Sequence, residues 1–321
     1  MGTLYIDRKG IHISVDGNAI AFYNDGHREG IVPLEPVKRV IFVGNMTVET
    51  SVIKKFTELG ISAIFLSGRS LRFSGMLHGR LHNNGLLRLK QYEKAISEFA
   101  REYAQEIVTR KVRSQINLLE SVLPRRPDLR LDIITAIDTL KRILNRLDFE
   151  SFQIESLKGL EGGASASYFS AYTKIFSENL GFQKRTRRPP LDPVNAMLSL
   201  CYTLLHFELV REIEIAGLDP TIGFYHQFEY GRESLACDLV EIFRSDVDRF
   251  VWNMFRERTF TADDFFRDPN TGGYYLKKQR RKDFYPLYED WAKEMRQAFA
   301  EEVRSLCRRL SDEEDTLSER E

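Results

Sequence analysis

Cysteine is scarce in this chain: three residues in 321, at Cys201, Cys237 and Cys307. They are too few and too scattered for a disulfide framework or a thiolate zinc site. There is no excess of charge, since 47 basic side chains meet 47 acidic ones for a formal net charge of +0. Bulk charge therefore offers no argument for nucleic-acid binding, although local basic surfaces remain open to it. No apolar run approaches the ~18–20 residues that a membrane span needs. The N-terminus, Met1-Gly-Thr-Leu-Tyr-Ile-Asp7, lacks a basic stretch followed by an apolar segment, so no secretory signal is expected. What is present is a 42% hydrophobic, 29% charged composition that can build a core. At roughly 100–200 residues per domain, the length suggests two domains. The expectation is a soluble, cytoplasmic, globular protein with no membrane partner.

Proline and glycine divide the chain. The first 80 or so residues read as β-rich. Ile11, Ile13 and Val15 alternate with polar neighbours, as in a half-buried strand. Asp16-Gly17 follows, then the apolar run Ile20-Ala-Phe-Tyr23, then Asp25-Gly26. Asp-Gly between apolar runs is hairpin chemistry, because glycine supplies the positive φ such turns require. Val40–Val43 and Ile61–Leu66 are short buried-strand candidates. Between them Thr47 can cap a helix from Val48 to Leu59, ended by Gly60.

From Leu86 to Leu123 there is no proline, and Ile107, Val108, Val112, Ile116 and Leu119 share one helical face. Pro124-Arg-Arg-Pro127 breaks the chain, and further helices are expected at 130–147, 164–179, 192–216, 232–257 and 283–309. The fold class read from this is α+β. A β-rich N-terminal domain over residues 1–84 precedes a larger all-α domain over 85–310, and 311–321 form an acidic, flexible tail.

Three segments carry candidate chemistry. In Lys158-Gly-Leu-Glu161-Gly-Gly163 a carboxylate stands among glycines, where backbone can approach a ligand closely. The alternative is a helix-ending turn with an exposed glutamate. Ile222-Gly-Phe-Tyr-His226-Gln-Phe-Glu-Tyr-Gly-Arg232 reads as a loop with an aromatic-flanked histidine, either structural or a metal ligand and proton carrier. In Ser234-Leu-Ala-Cys-Asp238-Leu-Val-Glu241-Ile-Phe-Arg244, Asp238 and Glu241 share a helical face. Both could be solvated surface residues, but their apolar neighbours suggest a buried helix. Carboxylates with a single imidazole suit Mn²⁺ or Mg²⁺ better than zinc, provided the segments converge. Two basic runs supply possible phosphate contacts. Lys184-Arg-Thr-Arg-Arg188 contributes Lys184, Arg185, Arg187 and Arg188; Lys277-Lys-Gln-Arg-Arg-Lys282 contributes Lys277, Lys278, Arg280 and Arg281. Tyr274, Tyr275, Phe284 and Tyr285 flank the second run as candidates for base stacking. Either run could instead be a solvated charged loop.

Gly159-Leu-Glu161-Gly, Arg188-Pro-Pro-Leu-Asp-Pro-Val-Asn195, Gly223-Phe-Tyr-His226 and Tyr230-Gly-Arg232 through Arg244 occur in this order and spacing. Together they resemble the CRISPR-associated Cas1 family, the integrase and endonuclease of spacer acquisition. Arg88-Leu-Lys-Gln91-Tyr and Lys111 resemble a weaker family pattern. The resemblance spans nearly the whole chain. It implies a metal site of Glu161, His226 and Glu241 holding Mn²⁺ or Mg²⁺, with Asp238 as a further catalytic residue, either a fourth ligand or an outer base. Cys237 stands where a small aliphatic residue is commoner and reads as small, buried and apolar. Arg232 and Arg244 join the expected DNA contacts. The resemblance also implies a homodimer built through the β-rich domains, with a small Cas2 dimer bridging two homodimers. The DNA partners are a prespacer duplex and the CRISPR repeat. The implied reaction joins prespacer 3′-OH ends to the repeat by transesterification. The competing readings are a hydrolytic nuclease on branched or repair DNA intermediates and a non-catalytic DNA-binding scaffold.

Overall fold

A computed structural model describes residues 2–79, 84–226 and 230–311; the acidic tail beyond Ser311 lies outside the described residues. The chain divides into two units, one of residues 1–83 with 281–295, the other of 84–280 with 296–321.

The first unit contains strands β1 (Thr3–Asp7), β2 (His12–Asp16), β3 (Ala19–Asn24), β4 (His27–Pro33), β5 (Arg39–Val43), β6 (Thr47–Val48), β7 (Ser62–Leu66) and β8 (Phe73–Leu77), with helix α1 (Thr50–Leu59). They form two four-stranded sheets, ordered β1-β5-β7-β8 and β4-β3-β2-β6. Both Asp-Gly signals become hairpins: Asp16 pairs with Ala19, and Asn24 pairs with His27. At the second turn Asp25 and Gly26 both take positive φ, 48° and 79°, the backbone that a two-residue loop between twisted strands requires. Phe42 stacks on Phe65 with centroids 5.0 Å apart and also meets Phe56 of α1. Burying a phenylalanine of this kind contributes about 2–3 kcal/mol. Thr47 does not cap α1, because it is taken into β6, pairing with His12. The helix starts at Thr50 after an extended Glu49 and ends, as expected, at Gly60 with φ 67°.

The second unit holds helices α2 (Gly85–Ala95), α3 (Glu98–Val122), α4 (Arg130–Phe149), α5 (Ile154–Tyr172), α6 (Pro193–Ala216) and α7 (Ser234–Arg256), and a small hairpin of β9 (Phe265–Arg267) and β10 (Tyr274–Leu276). The expected single run over 86–123 is broken at Ser97, whose extended backbone and side chain start α3 afresh by accepting from Phe99 N. By length and composition α6 is apolar enough to cross a membrane, but 83% of its most apolar window is buried inside the protein. It is a core helix, and Glu208 and Arg211 interrupt its apolar run.

Helix α8 (Lys278–Ser311) contributes to both units. Residues 281–295, expected within the helical domain, cluster with the β-rich unit. There Tyr285 stacks on Tyr5 at 4.2 Å and donates to Asp7 at 2.7 Å. Arg281, only 2% exposed, donates to Gly68 O and Arg69 O at 2.8 and 3.0 Å.

Candidate functional site

Glu161 sits in the interior of α5, neither in a glycine loop nor at a helix end as the sequence reading allowed. Leu157, Ala164 and Tyr168 bury one face of α5 and carry the helix through its glycines. A Cβ built at Gly159, Gly162 or Gly163 would meet nothing within 4 Å, so open space borders these three glycines. Glu241 lies on α7, 8% exposed, and Lys111 on α3, 3% exposed. The Lys111 ammonium binds Glu161 Oε1 and also Glu241 Oε2, the latter at 2.5 Å. One buried cation therefore holds carboxylates from two other helices. Arg244, one turn along α7, approaches Glu241 Oε2 at 3.3 Å and lies over the Tyr202 ring at 4.7 Å. Burial works to raise the pKa of Glu241, but Arg244 and Lys111 outweigh it and bring the carboxyl down to about 2.

His226 ends the described part of a loop that crosses the start of α7. Asp238, fully buried in α7, fixes it there. Asp238 Oδ2 accepts from Phe224 N at 2.7 Å and Tyr225 N at 3.0 Å; Oδ1 accepts from His226 N at 2.9 Å and meets His226 Nδ1 at 2.8 Å. A carboxylate partner requires the proton on Nδ1, which leaves the Nε2 lone pair for a ligand or a proton. Both Asp238 oxygens are engaged by this loop, so Asp238 orients His226. Gly223 permits the close crossing: a Cβ there would lie 2.7 Å from Asp238 Oδ2 and 2.8 Å from the Ser234 carbonyl carbon.

Among the described residues no three His, Cys, Asp or Glu side chains are gathered closely enough to hold a metal ion. The expected ligands Glu161, Glu241 and His226 are each engaged by another side chain. Lys111 neutralises the glutamates and Asp238 holds the imidazole. The donor set nonetheless fits a hard divalent cation in kind. Two carboxylate oxygens already converge on one positive charge, and the imidazole is oriented by an outer carboxylate.

The basic residues separate into exposed and internal groups. Lys184, Arg187, Arg188 and Lys278 are exposed. Arg187 lies near enough to Arg244, Glu241 and Glu161 to feel their charges. Arg185, expected to contact DNA, instead donates to Asn195 Oδ1 at 2.8 Å and Ser199 Oγ at 3.1 Å. Burial lowers its pKa to about 10. Asn195 also accepts from Thr186 N and donates to Lys184 O, so the Arg188–Asn195 motif clamps the basic loop in place. Asp192 in turn caps α6 by accepting from Asn195 N. In the second run Arg280 pairs with Asp264 at 2.8 Å and donates to Thr259 O, Lys277 donates to Asp263 O, and Arg281 is buried. Lys277 and Arg280 are thus engaged by the segment 259–264, and Arg281 by Asp7, Gly68 and Arg69. Tyr275 and Phe284 are likewise buried, and Tyr285 is stacked on Tyr5. Arg232 is half-buried against Cys237, which is itself not an apolar filler but a hydrogen-bonded thiol.

Residues 4–290 match the model of the family described as CRISPR associated protein Cas1. The chain is 52% identical over 318 residues to a CRISPR-associated endonuclease Cas1 of Thermodesulfovibrio yellowstonii, covering 99% of this chain and all of that one. Its fold is similar to that of TM1797, a Cas1 protein from Thermotoga maritima, with TM-score 0.84, 27% identity and 97% of each chain covered. A chain in a Cas6-RT-Cas1–Cas2 complex shares the fold at TM-score 0.82 and 24% identity, over 97% of this chain and 35% of that one.

Proposed function

The chain belongs to the CRISPR-associated Cas1 family, and from that premise we propose that it is a metal-dependent DNA integrase and endonuclease. Its reaction is attack of a prespacer 3′-hydroxyl on a phosphodiester of the CRISPR repeat. The reading rests above all on one observation: Glu161 and Glu241, from separate helices, share the buried Lys111 in the same unit as an imidazole that Asp238 holds by Nδ1.

Glu161, Glu241 and His226 Nε2 would hold Mn²⁺ or Mg²⁺, which supplies Lewis-acid activation of the hydroxyl and stabilises the leaving oxygen. The rest follows from the residues themselves. Asp238 keeps His226 in one tautomer and one orientation, so Nε2 is aimed without reorganisation at the moment of reaction. Lys111 and Arg244 hold Glu241 ionised across the physiological range. Arg187, Arg188 and Lys184 offer exposed positive charge for the DNA backbone, with affinity that falls as salt rises. The open space bordering the α5 glycines leaves room for that backbone. Family membership supports extending the reading to a homodimer through the β-rich units and a bridging Cas2 dimer.

The test is strand transfer with Mn²⁺. A labelled short duplex ending in 3′-OH or in a dideoxynucleotide is mixed with a supercoiled plasmid carrying a CRISPR repeat, with and without Cas2. Label enters the plasmid only from the 3′-OH donor, and Glu161→Ala or His226→Ala lowers joining by at least ~10²-fold, the scale of lost electrostatic preorganisation. Near-normal joining by both variants would sink the assignment. Metal-dependent nicking without 3′-OH-dependent joining would establish a hydrolytic nuclease instead.

A further inference from the structure

The three thiols of this chain stand in different chemical surroundings. Cys201 is fully buried in α6, and Cys307 is half-buried on α8. Burial alone raises the pKa of Cys201, and burial also dominates at Cys307, leaving both thiols protonated at neutral pH. Cys237, half-buried on α7, has charged company. Arg232 Nε donates to its Sγ at 3.4 Å, and His206 of α6 lies near enough to the same thiol for each to shift the other's titration. His206 Nε2 in turn pairs with Glu233 Oε2 at 3.3 Å. A sulfur, an imidazole and a carboxylate thus stand in sequence, with a guanidinium against the sulfur. This is the arrangement by which a thiol becomes a nucleophile: a base beside it, oriented by a third group. None of these side chains is among the residues assigned above to hold the metal or His226.

We propose that Cys237 is a reactive thiol, a modification site at which a small peroxide converts the side chain to a sulfenic acid. The Cys237 thiolate attacks one peroxide oxygen; the S–O bond forms as the O–O bond breaks. Sulfur gives up two electrons to the peroxide, and the departing hydroxide takes the His206 proton and leaves as water. The electrostatics run the same way as the geometry. Burial works to raise the Cys237 pKa, but His206 and Arg232 bring it below the ordinary thiol value. Burial works to lower that of His206, yet Cys237 and Glu233 raise it to about 9. Each group therefore favours the charged form of the other, shifting the pair toward thiolate and imidazolium.

The full-length native protein at pH 7 is treated with hydrogen peroxide in the presence of dimedone, and separately with iodoacetamide. Labelling of each cysteine is followed by peptide mass spectrometry. Cys237 labels at least ~10-fold faster than Cys307, which is likewise half-buried, and carries the dimedone adduct. His206→Gln and Glu233→Gln, each checked for native circular dichroism, lower the Cys237 rate toward that of Cys307. If His206→Gln does not fold, Glu233→Gln decides. Labelling of Cys237 no faster than Cys307, or at one rate in wild type and folded variant, would overturn the proposal. The readout is chemical labelling, so it stands or falls independently of DNA joining.

Discussion

Asp248, buried in α7, accepts from Tyr168 Oη at 2.8 Å and from Tyr202 Oη. Burial raises its pKa to about 6, and the two phenols only partly offset that effect. A carboxyl raised from the ordinary 3.8 is protonated more readily in the folded than in the unfolded chain. Its stabilising contribution is therefore complete below the unfolded pKa and is lost as pH rises toward 6. A shift of about two units corresponds to about 3 kcal/mol. Denaturant titrations from pH 4 to 6.5 should show wild type losing stability relative to Asp248→Asn by up to that amount. Parallel pH profiles for the two proteins would show that Asp248 does not titrate in this window. The contrast with Glu241, buried in the same helix but brought down to about 2, shows that burial alone does not set the sign. Glu241 is ion-paired with Lys111 and Arg244, whereas Asp248 is hydrogen-bonded by neutral phenols and feels Arg244 and Arg185 without pairing with either.

At the scale of elements, α5 shows how tertiary packing overrides a local signal. Three glycines in five residues, at 159, 162 and 163, read as a turn because glycine is a poor helix former. The apolar stripe of Leu157, Ala164 and Tyr168 is buried, and that burial carries the helix through. Gly162 has helical backbone and open space where a Cβ would stand. Gly162→Ala should therefore stabilise the protein by about 0.5–1 kcal/mol, the helix-interior difference between the two residues. Urea denaturation checks this, and a lower midpoint in the variant would mean that the glycine answers a packing need the helix geometry does not show. Gly223 is the opposite case, since a Cβ there would collide with Asp238. In sequence the two glycines look alike.

At the scale of the molecule, the β-rich unit is not continuous in sequence. Residues 281–295 belong to it, and Asp7 depends on them for Arg281 and Tyr285. A fragment of residues 1–84 leaves that carboxylate without those partners and Tyr5 without its stacking ring. It should lack a cooperative thermal transition by circular dichroism, whereas the same fragment joined through a flexible linker to residues 278–295 should regain one. A sharp, equal transition for the short fragment would show that the helix segment is dispensable to the unit. Arg281 illustrates why net composition misleads: it lies in the most basic run of the chain and is almost fully buried.

Much was legible from sequence because it is governed by local physics. The Asp-Gly hairpins follow from glycine's φ, the helical stretches from periodicity and missing proline, and the α+β order from where those signals change. The resemblance carried by Glu161, His226, Asp238 and Glu241 was also readable, since the motifs are contiguous or nearly so. Only the tertiary structure decided which charges are spent. Lys111 lies 50 residues from Glu161, so no spacing rule could pair them, and helix packing alone brings that ammonium to Glu161 and Glu241. Similarly, Arg185, Arg280 and Arg281 look like phosphate contacts until their carbonyl, amide and carboxylate partners are in view. A charge written in the sequence has a definite type, but its partner is set by the fold, because electrostatic pairing depends on distance and desolvation rather than on position along the chain.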